Sequence, residues 1–392
     1  MVEVLASLAA IGCGLVLLMW RMQRRLLDDP APETGDALPG ISILKPLHGV
    51  DPGLEHNLES FLELDYPDYE LILGIQDPAD PAVDIARRFV ARSGSVPVQV
   101  VVGDARIGFN PKVNNLAGML ARARHDVLWI SDANVAVRRE TLRSMVGHLL
   151  EPGIGLVTSL IRGVGGHGPG GVLEAVQLNT FVMGGVATAT TVFGRVAAVG
   201  KSMLLRRSDL ERIGGFAVLG RYLAEDQVCA ELLDEAGREV VVSGPPVDNV
   251  LGALSVRQFV DRHLRWARIR RHMAPWGYAA ELLTNPVPAA LLLVAVDPGI
   301  GSAAVFATVM TVLSGVARSS ERRLGVRRSL WRYPIIEIAR GLLVTILWPV
   351  PFLSRTVTWR GSTFRIGRRT WLEPYVDGWD GGDEPAAHEV TV

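Results

Sequence analysis

Cysteine is scarce in this sequence, which contains two in 392 residues. Cys13 lies in an apolar N-terminal segment, and Cys229 lies in the middle of the chain. Two cysteines placed in this way form neither a disulfide framework nor a cluster of metal ligands. The chain therefore fits a reducing, cytoplasmic compartment.

Net charge is also nearly absent, at −1, but the basic residues are unevenly distributed. Arginines concentrate at 257–271, 318–332 and 355–369 beside apolar segments, a pattern that suits anionic lipid headgroups. No recognised nucleic-acid motif accompanies them, so the sequence disfavours a nucleic-acid partner. A hydrophobic share of 48% and a mean hydropathy of +0.25 indicate a membrane-associated protein.

The first 25 residues resemble a membrane anchor. Residues 2–20 approach the roughly 20 apolar residues that cross a bilayer. Arg21, Arg24 and Arg25 follow, which places the next domain in the cytoplasm. A cleaved signal peptide is the alternative, but its charge would precede the apolar core, and no convincing cleavage site is present. The sequence predicts a transmembrane anchor at 1–25 and a linker at 26–40.

Strand and helix patterns alternate from residue 41 to residue 256. Apolar runs such as YELILGI and DVLWIS predict strands, and the spacing in GLEHNLESFLEL and PKVNNLAGMLARAR predicts helices. This order predicts an α/β domain with a mainly parallel sheet and helices on both faces. Ligands of such sheets collect beyond the carboxyl ends of strands, where Asp77 and Asp132 fall.

Each of these two acids has two interpretations. The Asp77 carboxylate can accept hydrogen bonds from a nucleotide base, or it can cap a helix that begins at Pro78. The oxygens of Asp132 and Asn134 suit a hard cation such as Mg²⁺ or Mn²⁺. An ordinary Asp/Asn turn after a strand is the alternative for that pair.

Glu225 and Asp226 begin a predicted helix, where exposed N–H groups favour any acid. If Asp226 faces the cleft instead, it can take the proton from an acceptor hydroxyl. A neighbouring Glu225 would raise the pKa of such a carboxyl. Helix capping and general-base catalysis therefore both remain open.

Basic residues of two kinds are candidates for holding a phosphate. Lys112 at a helix start offers a point charge, and Arg262 and Arg265 offer planar donor forks. The alternatives are a solvated lysine and a stripe of arginines that flanks a membrane. Trp266 can pack on substrate or lie at the headgroup level.

Six motifs together resemble the ceramide glucosyltransferase family and its bacterial relatives that glycosylate membrane lipids, including hopanoid glycosyltransferases. They are KPLHGVDPGLEHNLESFLELDYPDYE, QDPADPAVD, NPKVNNL, ISDANVAV, LAEDQ and RHLRW. The resemblance runs from about residue 40 to the RxxRW motif and weakens in the hydrophobic tail. It implies a GT-A nucleotide-sugar domain that transfers a sugar from a UDP-sugar to a lipid hydroxyl with inversion. Glucose is the sugar that the resemblance favours.

The resemblance also implies site residues. It assigns Asp226 as the base, Asp132 as the metal ligand, and Asn134 and Glu225 as possible supports, with Mg²⁺ or Mn²⁺ as the metal. It assigns nucleotide-sugar binding to Lys45, Pro46, Leu47, Asp77, Lys112, Asp132, Arg262, Arg265 and Trp266. Two departures stand out: Asn179, Thr180 and Phe181 replace a region with a histidine in vertebrate-type enzymes, and Asp132-Ala133-Asn134 lacks the second acid of a DxD motif. Sugar or acceptor selectivity and metal affinity are therefore expected to differ.

The C-terminal third predicts a basic interfacial region at 257–280 and a membrane region at 281–370. Two apolar runs between 286 and 315 are split by Asp297-Pro298-Gly299 and predict a hairpin. A third run at 334–354, interrupted by Glu337 and Arg340, predicts an interfacial or re-entrant segment. A disordered tail is predicted at 371–392. The sequence thus indicates a multi-pass protein of the bacterial inner membrane with a cytoplasmic catalytic domain.

Two other functions compete with lipid glycosylation. A processive polysaccharide synthase combines related motifs, but the short tail leaves few helices to enclose a polymer channel. A non-catalytic membrane scaffold is disfavoured by the three acids and two arginines. The sequence selects neither the sugar nor the lipid, because such discrimination depends on a few hydrogen bonds in the pocket. Ceramide, diacylglycerol and a hopanoid polyol all remain open as acceptors.

Overall fold

A computed structural model of the protein describes residues 1–35, 37–103, 105–359 and 362–375. The strands are Ile41–Leu47 (β1), Tyr69–Ile75 (β2), Val98–Val102 (β3), Val127–Ser131 (β4), Val135–Ala136 (β5), Ile154–Val164 (β6), Ser202–Arg206 (β7), Glu239–Val250 (β8), Thr356–Trp359 (β9), Ser362–Ile366 (β10) and Leu372–Pro374 (β11).

The helices of the first 250 residues are Val2–Leu27 (α1), Leu54–Leu62 (α2), Ala82–Val90 (α3), Pro111–Leu120 (α4), Thr141–Leu149 (α5), Gly168–Gln177 (α6), Met183–Thr191 (α7), Arg207–Arg212 (α8), Gly215–Leu219 (α9) and Glu225–Glu235 (α10). Those that follow are Val256–Met273 (α11), Pro275–Glu281 (α12), Val287–Val296 (α13), Ile300–Arg323 (α14), Arg332–Leu347 (α15) and Val350–Leu353 (α16). A π-helical turn, Leu178–Val182, joins α6 to α7.

The first eight strands form one mixed sheet in the order β3-β2-β1-β4-β7-β6-β8-β5. The first four in this order are parallel, as the alternating pattern predicts. Strand β7 then runs antiparallel to both β4 and β6, so the sheet is less uniformly parallel than expected. The reversal pairs Ser131 at the end of β4 with Ser202 at the start of β7. Loops from two distant parts of the chain therefore meet at the same edge.

Apolar residues cover both faces of this sheet, because β1, β2 and β4 are buried along their whole lengths. One cluster joins the sheet to α2, α3 and α5 through residues such as Phe61, Phe89 and Met145. The other joins it to α4 and α10 through residues such as Leu116 and Leu233. The catalytic domain is thus a three-layer α/β/α sandwich, as the sequence predicts.

Four helical segments have the length and hydropathy of membrane spans: Val2–Leu27, Gly168–Thr191, Ile300–Arg323 and Arg332–Leu353. A bent pair, Pro275–Thr284 with Val287–Val296, would form a fifth with a 50° break. The predicted anchor and the predicted hairpin are both helical, and the hairpin breaks between α13 and α14 as expected. The segment Gly168–Thr191 was not predicted as a span, and its apolar window is 61% buried inside the protein.

The charges inside the third apolar run are paired. Arg340 Nε lies 3.0 Å from Glu337 Oε2, and its Nη1 donates to Gln177 Oε1 at 2.7 Å. Buried charges persist in apolar surroundings when they are paired and hydrogen-bonded in this way. The pair ties α15 to α6, so the interruption in the apolar pattern is a contact between helices.

The C-terminal boundary differs from the prediction. Strands β9, β10 and β11 form a small antiparallel sheet where the sequence suggested membrane and tail. This sheet joins the catalytic domain, since Leu223 N–H donates to Thr370 O at 3.0 Å and Tyr222 packs edge-to-face on Trp371. Residues 376–392 of the predicted tail lie outside the described residues.

Candidate active site

The candidate site lies beyond the carboxyl end of β4. The pairing of Ser131 with Ser202 brings the residue after β4, Asp132, beside the residue before β7, Lys201. Lys201 Nζ lies 3.1 Å from Asp132 Oδ2 and 2.8 Å from Asn134 Oδ1. Asn134 also donates to Asn249 Oδ1 at 2.8 Å, which anchors the turn to β8. Both members of the predicted Asp132–Asn134 pair therefore lie in one place.

Asp132 sits between two ammonium groups. Its Oδ1 lies 2.9 Å from Lys112 Nζ, opposite the contact with Lys201. Burial by itself would raise the pKa of Asp132, but the two lysines outweigh it and hold that pKa well below its usual range. The carboxyl is therefore ionised throughout the physiological range.

Lys112 joins several parts of the site. Its ammonium contacts Asp132 Oδ1, Glu225 Oε1 at 3.0 Å and the carbonyl of Gly200 at 2.9 Å. Burial disfavours the charged form, but the surrounding carboxylates outweigh it and raise the pKa of Lys112. An ammonium has three N–H donors, and these three contacts use them all. The ammonium therefore links three parts of the protein, and its phosphate contact stays a prediction.

Asn110 explains why Lys112 stands at this position. The Asn110 side chain caps α4 by accepting from the backbone N–H groups of Lys112 and Val113. Its amide nitrogen donates to Tyr222 O at 2.8 Å and to Glu225 Oε2 at 3.1 Å. The NPKVNN motif therefore fixes the start of α4 against the start of α10.

Asp226 faces the same site from the first turn of α10. Its Oδ2 accepts from Gly200 N–H at 2.8 Å, and its Oδ1 accepts from Gln227 N–H at 2.8 Å. Burial and the neighbouring Glu225 carboxylate raise the pKa of Asp226 to about 6, against the opposing effect of Lys112. Ala224 occupies the cap position of α10, and Asp226 in the first turn satisfies the N–H of Gln227, so its helix-end role and its role as the base both stay predictions. Each carboxylate oxygen keeps a lone pair for another donor.

The residues predicted to bind the nucleotide next to β4 lie inside the sheet: Lys45, Pro46 and Leu47. All three are buried in β1, and Lys45 is fully enclosed. Its ammonium donates to the carbonyls of Asp132 at 2.7 Å and Val135 at 3.1 Å, and burial holds the pKa of Lys45 well below its ordinary value. Lys45 therefore supports the turn that carries Asp132, and all three side chains are enclosed in the sheet.

Asp77 is exposed at the end of β2, where the sequence placed it. Its Oδ1 accepts from Ala79 N–H at 2.8 Å, so it stabilises a turn and the next helix begins only at Ala82. Nearby, Asp80 accepts from Gly49 N–H at 2.8 Å and fixes the loop after β1. Asp77 keeps accepting capacity for a donor group of a base.

The RxxRW motif lies on α11. Arg262 Nη1 lies 3.2 Å from Glu174 Oε1 and His263 Nε2 lies 2.9 Å from Glu174 Oε2, so α11 is tied to the fully buried Glu174 of α6. Trp266 packs edge-to-face against His263 and on the core of the α/β domain, and its roles on substrate and at the headgroup level both stay predictions. Arg265 is half-buried on the same helix.

Three residues of this arrangement escaped the sequence interpretation: Lys201, Asp51 and Glu174. Asp51 lies on the loop after β1, and burial raises its pKa while Lys201 and Arg262 lower it. Arg262 therefore acts on the site as well as on Glu174. Asp51 lies within the first of the six family motifs, at HGVDPG. No local pattern distinguishes Lys201 or Glu174 from ordinary residues.

A divalent metal does not fit the site in this arrangement. Both Asp132 oxygens and the Asn134 amide oxygen already contact lysine ammonium groups. Among the described residues, no group of three or more His, Cys, Asp or Glu is placed to hold a metal. The two ammonium groups would repel a metal cation while they remain in place.

Comparisons with known proteins identify the family of this chain. The model of glycosyl transferase family 21 matches residues 4–371. Ceramide glucosyltransferase 3 of Caenorhabditis elegans is 25% identical over 354 residues, covering 88% of this chain and 76% of the relative. Ceramide glucosyltransferase 1 of the same organism is 24% identical, covering 89% and 75%.

A solved structure identifies the fold. The mannosyltransferase PcManGT from Pyrobaculum calidifontis, in complex with GDP-Man and Mn²⁺, aligns with a TM-score of 0.53 at 20% identity. The alignment covers 87% of this chain and 99% of that one. The catalytic domain is a GT-A domain, and the protein is a glycosyltransferase. The chain belongs to glycosyl transferase family 21.

Proposed function

We propose that the protein transfers a sugar from a UDP-sugar to the hydroxyl of a membrane lipid with inversion of configuration. The observation that carries the proposal is Asp226, a carboxylate with a raised pKa at the edge of the sheet where a GT-A domain binds its donor. The names of the two nematode relatives support glucose as the sugar and ceramide as an acceptor. A hopanoid or another lipid hydroxyl satisfies the same chemistry.

The reaction is a single displacement. The acceptor oxygen attacks the anomeric carbon while Asp226 takes the hydroxyl proton. The bond between that carbon and the diphosphate oxygen breaks, and its electron pair leaves with UDP. Attack from the opposite face inverts the anomeric centre. Arg262 and Arg265 of α11 stabilise the charge that develops on the diphosphate, which is the largest contribution expected in such a transfer.

The membrane arrangement supports a lipid acceptor. Helices α1 and α14 run in the same direction, since Gln23 Oε1 accepts from Ser320 Oγ at 3.2 Å and Asp28 pairs with Arg323. Their basic C-terminal ends therefore share one side, the side of the catalytic domain, and the positive-inside rule makes it cytoplasmic. Helices α12 and α13 together carry the chain across, and α14 returns it. The donor site then lies at the headgroup level.

Helix α15 does not cross the membrane in the proposed arrangement. Its start contacts the end of α14, because Tyr333 Oη donates to Glu321 Oε2 at 2.8 Å. Its continuation α16 packs beneath the end of α11, with the Arg271 guanidinium 4.9 Å from the Phe352 ring. Both ends thus lie on the catalytic side, which supports an interfacial segment, one of the two arrangements that the sequence suggested. Helices α6 and α7 also begin and end in the catalytic domain, so they lie along the interface.

Lipid mass spectrometry tests the proposal. The purified protein in nanodiscs is incubated with UDP-sugars and total membrane lipids, with and without EDTA, because the sequence also predicts Mg²⁺ or Mn²⁺. We expect one hexose added per lipid, and we expect Asp226→Asn to lose about 10²-fold to 10⁴-fold of the rate while UDP still binds. The matched control is Asp234→Asn, an exposed acid on the same helix.

Three results would reject it. Substantial turnover by Asp226→Asn removes the base from the mechanism. A ladder of products with many sugars points to a processive polysaccharide synthase instead, and the absence of transfer from any UDP-sugar to any lipid favours a non-catalytic scaffold.

A further inference from the structure

Lysine is scarce in this chain, and the few lysines lie together at the candidate site. The chain has 40 lysines and arginines, of which only Lys45, Lys112 and Lys201 are lysines. All three contact Asp132: Lys45 its carbonyl, Lys112 its Oδ1 and Lys201 its Oδ2. Arginine serves at every other basic position, so the compact ammonium occurs only where a point charge fits and a planar guanidinium does not.

The three lysines have different capacities. Lys45 is fully buried, and two carbonyls accept from it. Lys112 uses its three N–H donors on protein acceptors. Lys201 contacts two acceptors among the described residues, Asp132 Oδ2 and Asn134 Oδ1, so one N–H donor remains for an anion. Its side chain is 17% exposed, which leaves it accessible from the cleft.

From this geometry we infer that Lys201 is the cation that bridges the Asp132–Asn134 pair to the diphosphate of the donor, in the place where a divalent metal would bind. The ammonium contacts both oxygens that the sequence assigns to the metal and supplies the third bond to a diphosphate oxygen. The inference rests on the proposed function for the identity of the donor. It states that the protein binds UDP and turns over without a divalent metal.

Charge supports this assignment. The carboxylates of Asp51, Asp132, Glu225 and Asp226 surround the site, where Lys112, Lys201 and Arg262 face them. An arriving diphosphate adds negative charge beside these carboxylates, so a cation between the two is required. Lys201 is tied by two hydrogen bonds at the end of β4 and already stands there.

Manganese binding tests the inference without an acceptor. Electron paramagnetic resonance measures free Mn²⁺ after it is added to the protein with saturating UDP. Because UDP itself chelates Mn²⁺, we expect the wild type to leave the free-ion signal equal to that of the same Mn²⁺ and UDP mixture without protein. We expect its UDP affinity to be equal with and without EDTA. In Lys201→Met, which matches lysine in length, we expect UDP affinity without metal to fall about tenfold or more, as for loss of a charge-assisted hydrogen bond.

The same variant releases the Asp132 and Asn134 oxygens. We expect Lys201→Met to bind Mn²⁺ in the presence of UDP, and the double variant Lys201→Met/Asp132→Asn to lose that binding. A thermal unfolding midpoint close to that of the wild type shows that the variants are folded.

Three results would overturn the inference: stoichiometric Mn²⁺ binding by the wild type with UDP, unchanged UDP affinity in Lys201→Met, or no gain of Mn²⁺ binding in that variant. None of these readouts uses a lipid. If the wild type fails to glycosylate any lipid while the Mn²⁺ results hold, the proposed function fails and the assignment of Lys201 stands.

Discussion

Asp226 needs a pKa close to neutral pH to accept a proton efficiently, and opposing influences set it. Burial and Glu225 raise the pKa to about 6, while Lys112 and two backbone N–H groups restrain the increase. The same Glu225 holds Lys112, at 3.0 Å, so one carboxylate tunes the base and positions its counter-charge. The adjacent acids of the LAEDQ motif therefore have separate tasks.

The first prediction concerns pH. A base must be deprotonated to act, so we expect kcat/KM to fall as pH decreases through about 6, the pKa of Asp226. The fall should approach tenfold per pH unit below that point. Initial rates between pH 4.5 and 8 with a soluble lipid analogue measure it, with UDP affinity as the control for donor binding. A profile that stays flat to pH 5 contradicts the assignment.

Glu225→Gln gives the second prediction. Removing the negative neighbour favours the charged form of Asp226, so its pKa should fall and the acid limb should move to lower pH. The rate at neutral pH should also decrease, because Lys112 loses a charged partner. Asp234→Asn on the same helix serves as the control and should leave the limb in place. A limb that moves to higher pH would show that Glu225 does not act through its charge.

At the residue scale, the sequence could predict the acids but not their partners. Asp77, Asp132 and Asp226 each stand next to an apolar run or a helix start, which is a local signal. Lys201 reaches Asp132 only because β7 is antiparallel to β4, a pairing between residues 69 positions apart that no local pattern records. The contacts of Lys112 were not predictable for a similar reason, since its three acceptors come from separate elements, and its phosphate role stays a prediction.

At the element scale, the loop that precedes β7 positions the site. Gly200 presents its N–H to Asp226 and its carbonyl to Lys112, at 2.8 Å and 2.9 Å. A Cβ added at Gly200 would lie 2.5 Å from Asp226 Oδ2, which is too close for any side chain. The absence of a side chain at this position lets the loop approach α10 and align the base with the lysines.

Gly200→Ala is the third prediction. The added methyl group should displace Asp226 by a fraction of an ångström to about 1 Å and lower kcat by about 10²-fold, as small misplacements of reacting groups do. Gly118→Ala on α4 is the control, because its Cβ would meet only Ala105 at 3.7 Å. Kinetics with both variants at matched thermal stability measure the effect. Equal kcat values for the two variants would remove Gly200 from the positioning of the base.

Elements of the C-terminal third show where composition misleads. The stretch Thr356–Trp359 alternates as a strand should, yet its basic flanks suggested a membrane boundary. The structure assigns it to a sheet that contacts Leu223 beside the site.

The apolar segment Gly168–Thr191 has the hydropathy of a membrane span. However, His167 bridges to Ala253 at one end, and Gly200 contacts Asp226 shortly after the other end. Hydropathy describes the environment of a helix and does not give its direction.

At the scale of the whole molecule, the site and the membrane are connected through α11. This helix carries Arg262 toward the site, and its other end contacts α16 through Arg271 and Phe352. The amphipathic helix thus lies between the donor site and the membrane helices. In the proposed arrangement a lipid hydroxyl approaches Asp226 without leaving the headgroup layer, which makes the orientation of the catalytic domain decisive.

Topology is the last prediction. The start of α14 and the N-terminus of α1 should face away from the cytoplasm, because both helices end beside the catalytic domain at Arg323 and Asp28. The 24 residues of α14 extend about 36 Å, enough to cross the bilayer. Single cysteines placed in a background without the two native cysteines report this arrangement: Gly299→Cys in the loop before α14, and Ser95→Cys in the catalytic domain.

A membrane-impermeant maleimide applied to intact cells should label Gly299→Cys and leave Ser95→Cys unlabelled until the cells are lysed. Both positions are exposed in the structure, so access to the reagent depends on the side of the membrane. Labelling of Ser95→Cys in intact cells would place the catalytic domain outside, away from the cytoplasmic pool of nucleotide sugars. If Gly299→Cys reacts only after lysis, the α13–α14 hairpin does not cross, and the protein is held at the cytoplasmic face by α1 alone.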